Sequence, residues 1–198
     1  IARSNRLSRV VFVLTVSGAL FLAASFLAFT PWQFIVATLL LGSGSALFLG
    51  AAGWALFGVP SDSPTARGLK FSLLGLGVTA GLGLLLSSSL GWSLNLPLIE
   101  LTDIHLSWGF VGWGAILVAA VAYVVVPLFQ LTPSYPEWFG RWFSIATLAA
   151  VTIGSMARFA EMEAMNTAPS VFGTIMVALV ASFAWITLDT QRRSKRPN

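Results

Sequence analysis

The chain has 198 residues, 57% of them hydrophobic and 9% charged, with a mean hydropathy of +0.85 and a formal net charge of +4. A soluble domain averages roughly 45–50% apolar and about 25% charged residues, so these figures exclude one and leave an integral membrane protein. With no cysteine there is no disulfide framework, no thiolate metal site and no covalent attachment for a c-type heme.

Apolar runs long enough to cross a hydrocarbon core, about 20 residues each, recur along the whole chain. The first covers residues 10–29 and the second 33–57, with Thr30, Pro31 and Trp32 as a tight hairpin between them. Three arginines ahead of an apolar run also describe a signal peptide. This run is longer than the roughly 7–15 residues of a signal h-region, so a retained first helix is expected. The polar linker 59–68 (VPSDSPTARG) leads to a third helix over 69–90. A fourth runs over 104–126 and is expected to close at Pro127; after the segment 127–138 come a fifth helix, 139–160, and a sixth, 170–188. Residues 191–198 form a basic tail. The expected fold class is an all-α transmembrane bundle of six helices, a single domain.

Six crossings put both termini on one side. Ten of the 11 Lys and Arg fall there: Arg3, Arg6, Arg9, Arg67, Lys70, Arg141, Arg192, Arg193, Lys195 and Arg196. Arg158 alone falls on the other, together with Glu100, Asp103, Glu161 and Glu163. The positive-inside rule then makes both termini cytoplasmic, in a multi-pass protein of a bacterial-type inner (plasma) membrane. Because the basic residues sit at chain ends and membrane borders, they read as topology signals and not as a nucleic-acid surface.

Small residues mark helix packing, since lipid offers no hydrophobic drive and close approach must supply association. Gly42, Gly44, Ala46, Gly50 and Gly53 of the second helix are expected to meet Gly75, Gly77, Gly81 and Gly83 of the third. Ser87, Ser88 and Ser89 could line a hydrated site or bond back to their own helix. Tyr135, Trp138 and Trp142 read as interfacial anchors, with a quinone or partner site near Phe129 and Gln130 as the alternative.

His105, the only histidine, lies about one turn inside the fourth helix. A polar ring at membrane depth needs a partner that lipid does not supply. Heme iron is one such partner; a hydrogen bond to a neighbouring helix is the other. Steps of three and four from His105 give Trp108, Gly109, Gly112, Ile116 or Leu117, Ala120 and Tyr123 on one stripe. Gly109 and Gly112 would leave a flat shelf beside the imidazole, suited either to a porphyrin face or to another helix. Met156 falls about 6 Å inside the outer border at a helical rise of about 1.5 Å per residue. It and Met162 and Met165 are candidate second iron ligands, while Arg158 would pair with heme propionates or with Glu161. Copper held by His105 and these methionines is a less favoured alternative. One histidine cannot supply two axial imidazoles, so iron would be five-coordinate, take a methionine, or sit at a twofold axis.

The stretch 104–136, IHLSWGFVGWGAILVAAVAYVVVPLFQLTPSYP, resembles small membrane proteins related to the catalytic subunit of heme-copper oxidases. They share a His-x-x-x-Gly-x-x-Gly-Trp helix followed by a turn like VVPLFQLTP. The resemblance implies a low-spin heme near the outer side with His105 as its ligand. It also implies, through half the usual helix number, a homodimer. The single histidine departs from that pattern, because an oxidase core has six, serving two hemes and a copper. The expectation is therefore a cytochrome b-like protein binding heme b non-covalently through His105, beside Trp108, Gly109, Gly112 and Arg158. Its role would be electron transfer, heme handling or gas sensing without catalytic turnover, in contact with lipid and with a redox protein or quinone. A small transporter or channel subunit with an outer vestibule around His105, Ser87 to Ser89 and Arg158 is the alternative. A membrane scaffold has only the glycine faces in its favour.

Overall fold

The structure, a computed structural model, describes residues 2–159 and 168–194. Among them are six helices and no strand: α1 (Ala2–Ala28), α2 (Pro31–Phe57), α3 (Pro64–Gly91), α4 (Leu98–Gln130), α5 (Glu137–Phe159) and α6 (Ala168–Arg192). The all-α class is as expected, and the starts and stops follow from local chemistry. Pro31 and Pro64 open α2 and α3, where a missing N–H costs nothing. The Thr30 hydroxyl bonds the Gln33 side chain at capping-box spacing, and Ser63 Oγ accepts the Ala66 N–H at 3.1 Å. Phe29, Ser93 and Leu131 carry φ of 50°, 52° and 52°, left-handed residues that end α1, α3 and α4.

Several boundaries differ from expectation, α1 starting at Ala2 and α6 running to Arg192 among them. The Ser63 cap starts α3 at Pro64, inside what reads as linker. Helix α4 begins at Leu98, so His105 lies two turns inside it and not one. Pro127 does not close α4, which runs on to Gln130; the ring removes only its own N–H, and the helix absorbs that loss near its end. A further feature is absent from any periodicity argument: residues Trp108–Ala115 of α4 form a π-helix of eight residues between α-helical flanks Leu98–Ser107 and Ile116–Gln130. Such stretches are rare.

Five segments are long and apolar enough to cross a membrane: Arg6–Ala28, Pro31–Phe57, Pro64–Gly91, Leu98–Gln130 and Gly173–Arg192. Their outward surfaces are apolar, with Trp54 89% and Leu27 86% exposed, as suits side chains solvated by lipid. This is a multi-pass membrane protein. Helix α5, the expected fifth crossing, is not among the five; it carries Glu137, Arg141 and Arg158 with four hydroxyl residues in its last 16 positions.

The chain divides into two compact units, residues 1–55 with 77–105, and 56–76 with 106–198. In the first, Gly18 of α1 lets Leu41 approach so closely that an added Cβ would sit 2.7 Å from its Cγ. Gly44 faces Thr15 of α1 in the same way, at 2.9 Å. The α2 and α3 faces meet as expected only in part, glycine against leucine: Gly42 meets Leu84 and an added Cβ on Gly77 would lie 4.0 Å from Leu49, whereas Gly44 serves α1 and Gly50 and Gly81 face open space. In the second unit Gly75 of α3 lies against the Gly112 carbonyl of α4, and Gly68 against Ala120. An aromatic core of Tyr123, Tyr135, Phe139 and Phe143, with Phe183 against it, fills the same unit.

Candidate functional site

The imidazole of His105 is held by one hydrogen bond and one surface. Its Nδ1 lies 3.1 Å from the Thr79 carbonyl oxygen on α3. A carbonyl only accepts, so in the neutral ring the proton is on Nδ1 and Nε2 keeps its lone pair. The ring also packs on Gly83, one turn along α3, where an added Cβ would stand 3.0 Å from Cε1 and 3.5 Å from Nδ1. A side chain at 83 would press on the imidazole and shift it by a few tenths of an ångström. A backbone carbonyl on one ring nitrogen, fixing tautomer and orientation, is the arrangement seen behind metal-bound histidines.

Trp108 and Gly112 belong to the second unit and are used differently from the expected shelf. Trp108 Nε1 donates to Ser155 Oγ at 2.9 Å, and Ser155 donates on to the Val151 carbonyl at 2.8 Å. The indole lies over Gly112, with Cε3 2.9 Å from an added Cβ, while Gly75 closes on the Gly112 carbonyl. Of the two roles open to Gly112, helix packing is the one its surroundings display. The reason lies in the π stretch: its wider turn advances each residue by less than an α-helix does, so a stripe drawn in steps of three and four loses register between 108 and 115. Beyond it the stripe holds, for Ile116, Ala120 and Tyr123 are all buried. Gly109, also in the π stretch, is partly buried, with its carbonyl 3.2 Å from an added Cβ on Gly114.

Of the remaining candidates, Met156 is 67% exposed on α5, and Arg158 is exposed in its last turn. Met162, Met165 and Glu161 lie outside the described residues. Among the described residues no group of three or more His, Cys, Asp or Glu could hold a metal. A polar vestibule loses two of its serines. Ser87 is buried, with Oγ 2.8 Å from Thr38 Oγ1 and 3.3 Å from the Phe34 carbonyl; Ser89 is buried and donates to the Leu94 carbonyl at 2.8 Å.

Tyr135 is no interfacial anchor. It is 7% exposed, its hydroxyl 3.0 Å from Thr187 Oγ1 and its ring stacked on Phe183. Burial pushes its phenol above the ordinary tyrosine value, and the Thr187 bond offsets part of that rise. Trp138 and Trp142, 61% and 58% exposed, have the outward position an anchor needs.

Thr79 and Gly83 escaped the sequence reading. Thr79 acts through its main chain, which leaves no trace in residue type, and Gly83 was indistinguishable from its neighbours in a glycine-rich helix. No protein-family model, curated protein or solved structure matches the chain.

Proposed function

We propose that this membrane protein binds a b-type heme through Nε2 of His105, and that it works in electron transfer, heme handling or gas sensing without catalytic turnover. The observation that carries the reading is the bond from Nδ1–H to the Thr79 carbonyl, which leaves the other ring nitrogen as a lone-pair donor. Thr79 would hold the ring's rotation and raise its basicity, and Gly83 would give it room. The residues fit the group at this ligand and not at the expected shelf, since Gly112 is covered by Trp108. Heme, when bound, supplies a one-electron couple at iron or a coordination position for a diatomic gas. Copper has less in its favour, because Met156 points outward and the group has no second nitrogen ligand. With Ser87 and Ser89 committed to packing, the vestibule reading has no observation of its own.

The same proposal includes six crossings with both termini cytoplasmic, α5 being the crossing that adds to the five apolar spans, and a homodimer that restores a twelve-helix assembly. It rests there on the asymmetry of Lys and Arg and on the resemblance around 104–136. The test is an absorbance spectrum of protein purified from heme-replete cells, with a pyridine hemochrome assay giving heme per chain. A Soret band near one heme per chain, lost in His105→Ala at unchanged folding, is the expected result. A colourless wild type, or full heme in His105→Ala, would overturn it.

A further inference from the structure

Four buried side-chain polar atoms among the described residues lack any hydrogen-bond partner: Arg67 Nε, Tyr123 OH, Thr132 Oγ1 and Ser144 Oγ. All four belong to the second unit. They also fall at one end of it. Contacts of Pro64 with Gly140, and of Gly68 with Ala120 and Ser144, bring the first turns of α3 and α5 beside the closing turns of α4, and Thr132 follows directly on α4. Hydroxyls elsewhere in the helices bond back to carbonyls, as Ser25 does to Phe21, Thr147 to Phe143 and Thr190 to Ile186. The orphans are thus a local feature and not a general property of the chain.

All four are donors, and Arg67 Nε can be nothing else. Ser144 is 2% and Tyr123 8% exposed, so neither is satisfied by bulk solvent. Arg67 precedes Gly68, which packs on Ala120, and Ser144 Oγ lies 3.6 Å from where a Gly68 Cβ would stand, so the orphan hydroxyl of α5 falls beside the turn of α3 that carries Arg67. Lys70, the next cation along α3, is already spent, donating to the Val59 carbonyl at 2.6 Å and Ser61 Oγ at 2.8 Å. The acids that open this end, Asp62 and Glu137, are both exposed. Unpartnered donors at the same end of the unit as a charge that cannot be shed call for an acceptor-rich anion.

We propose that this end of the second unit binds a phosphate group, with Arg67 as the charged residue and Ser144 as a neutral donor. Two sources carry that chemistry, a phospholipid headgroup and free phosphate. The site is independent of the heme reading.

The test is thermal unfolding of the delipidated full chain in detergent. One arm adds inorganic phosphate against chloride at equal ionic strength; the other adds phosphatidylglycerol against uncharged diacylglycerol in mixed micelles. At a hundredfold excess over the dissociation constant the midpoint should rise by about 5 °C or more. A rise with phosphate names the soluble source, and one with phosphatidylglycerol alone names the lipid. Arg67→Gln should lose the shift, while Arg9→Gln, which removes an exposed charge elsewhere, should keep it. Should Arg67→Gln fail to fold, Ser144→Ala serves. An orphan hydroxyl is no loss without ligand, so its basal midpoint should hold while its shift shrinks. Absence of a shift in wild type, an equal shift in Arg67→Gln, or a basal loss without a smaller shift in Ser144→Ala would each overturn the proposal.

Discussion

Gly83→Ala isolates the packing behind His105. The added methyl would stand 3.0 Å from Cε1, so the imidazole must give by a few tenths of an ångström, which strains its 3.1 Å bond to the Thr79 carbonyl. Losing that bond costs about 0.5–1.5 kcal/mol. Replacing glycine by alanine within a helix returns up to about 1 kcal/mol. The two nearly cancel, so the unfolding midpoint should stay within about 2 °C of wild type for a chain of this size. Gly81→Ala is the matched control, since nothing lies within 4 Å of its added Cβ. It keeps the helix gain without the loss, and its midpoint should rise by about 2–4 °C. Heme affinity should separate the pair further, because disturbing the group that orients a metal-bound histidine costs about 10–100-fold. The assay is a hemin titration of both variants followed by the Soret band, with midpoints from the same preparations. If Gly83→Ala gains stability as Gly81→Ala does and binds heme like wild type, the imidazole is not held by Thr79 and Gly83 as argued.

Gly75→Ala should be far more costly than either, because its methyl collides with main chain at the Gly112 carbonyl and 3.0 Å from the Trp113 nitrogen, neither of which can rotate aside. A net loss of about 2 kcal/mol is expected, read as a midpoint about 4–8 °C lower; an unchanged midpoint would contradict the α3–α4 contact. Trp108→Phe removes the donor to Ser155, which keeps its bond to Val151, so a smaller drop of about 1–6 °C is expected in a melting curve. Tyr135 gives a pH signature. Its folded pKa lies above the ordinary value near about 10, so the folded state retains a proton that the unfolded chain gives up. The contribution is complete below that ordinary value and declines as pH rises through the folded one. Midpoints measured across alkaline pH should therefore fall more steeply in wild type than in Tyr135→Phe, and parallel curves would count against a buried phenol.

The helices were legible because lipid enforces a long apolar run for each, and the buried positions Ile116, Ala120 and Tyr123 could be drawn from period alone. Their starts were less so. Pro64 and Ser63 carry a clear opening signal, yet the polar letters around them outweighed it in a hydropathy reading. The π stretch defeats periodicity because period is the assumption the reading makes. Glycine-rich faces announced close packing without naming the partner: Gly44 chose α1 and Gly75 chose α4 through side-chain shapes that no spacing encodes. His105 was found from its chemistry alone, whereas its holder, a main-chain oxygen, has no letter of its own.

The eight-residue π stretch gives α4 an adjustable length. In hydrocarbon a helix cannot break a backbone bond cheaply, so most membrane spans resist the loss or gain of a single residue. A π turn can convert to an α turn by exchanging i→i+5 bonds for i→i+4 bonds, taking up one residue without leaving an N–H bare to lipid. Gly109, Gly112 and Gly114 leave Val111 as the one β-branched residue in that stretch to oppose the exchange. A single-residue deletion between 108 and 115 is thus an edit this span can heal internally, whereas the same deletion in α2 would turn one half of the helix against the other.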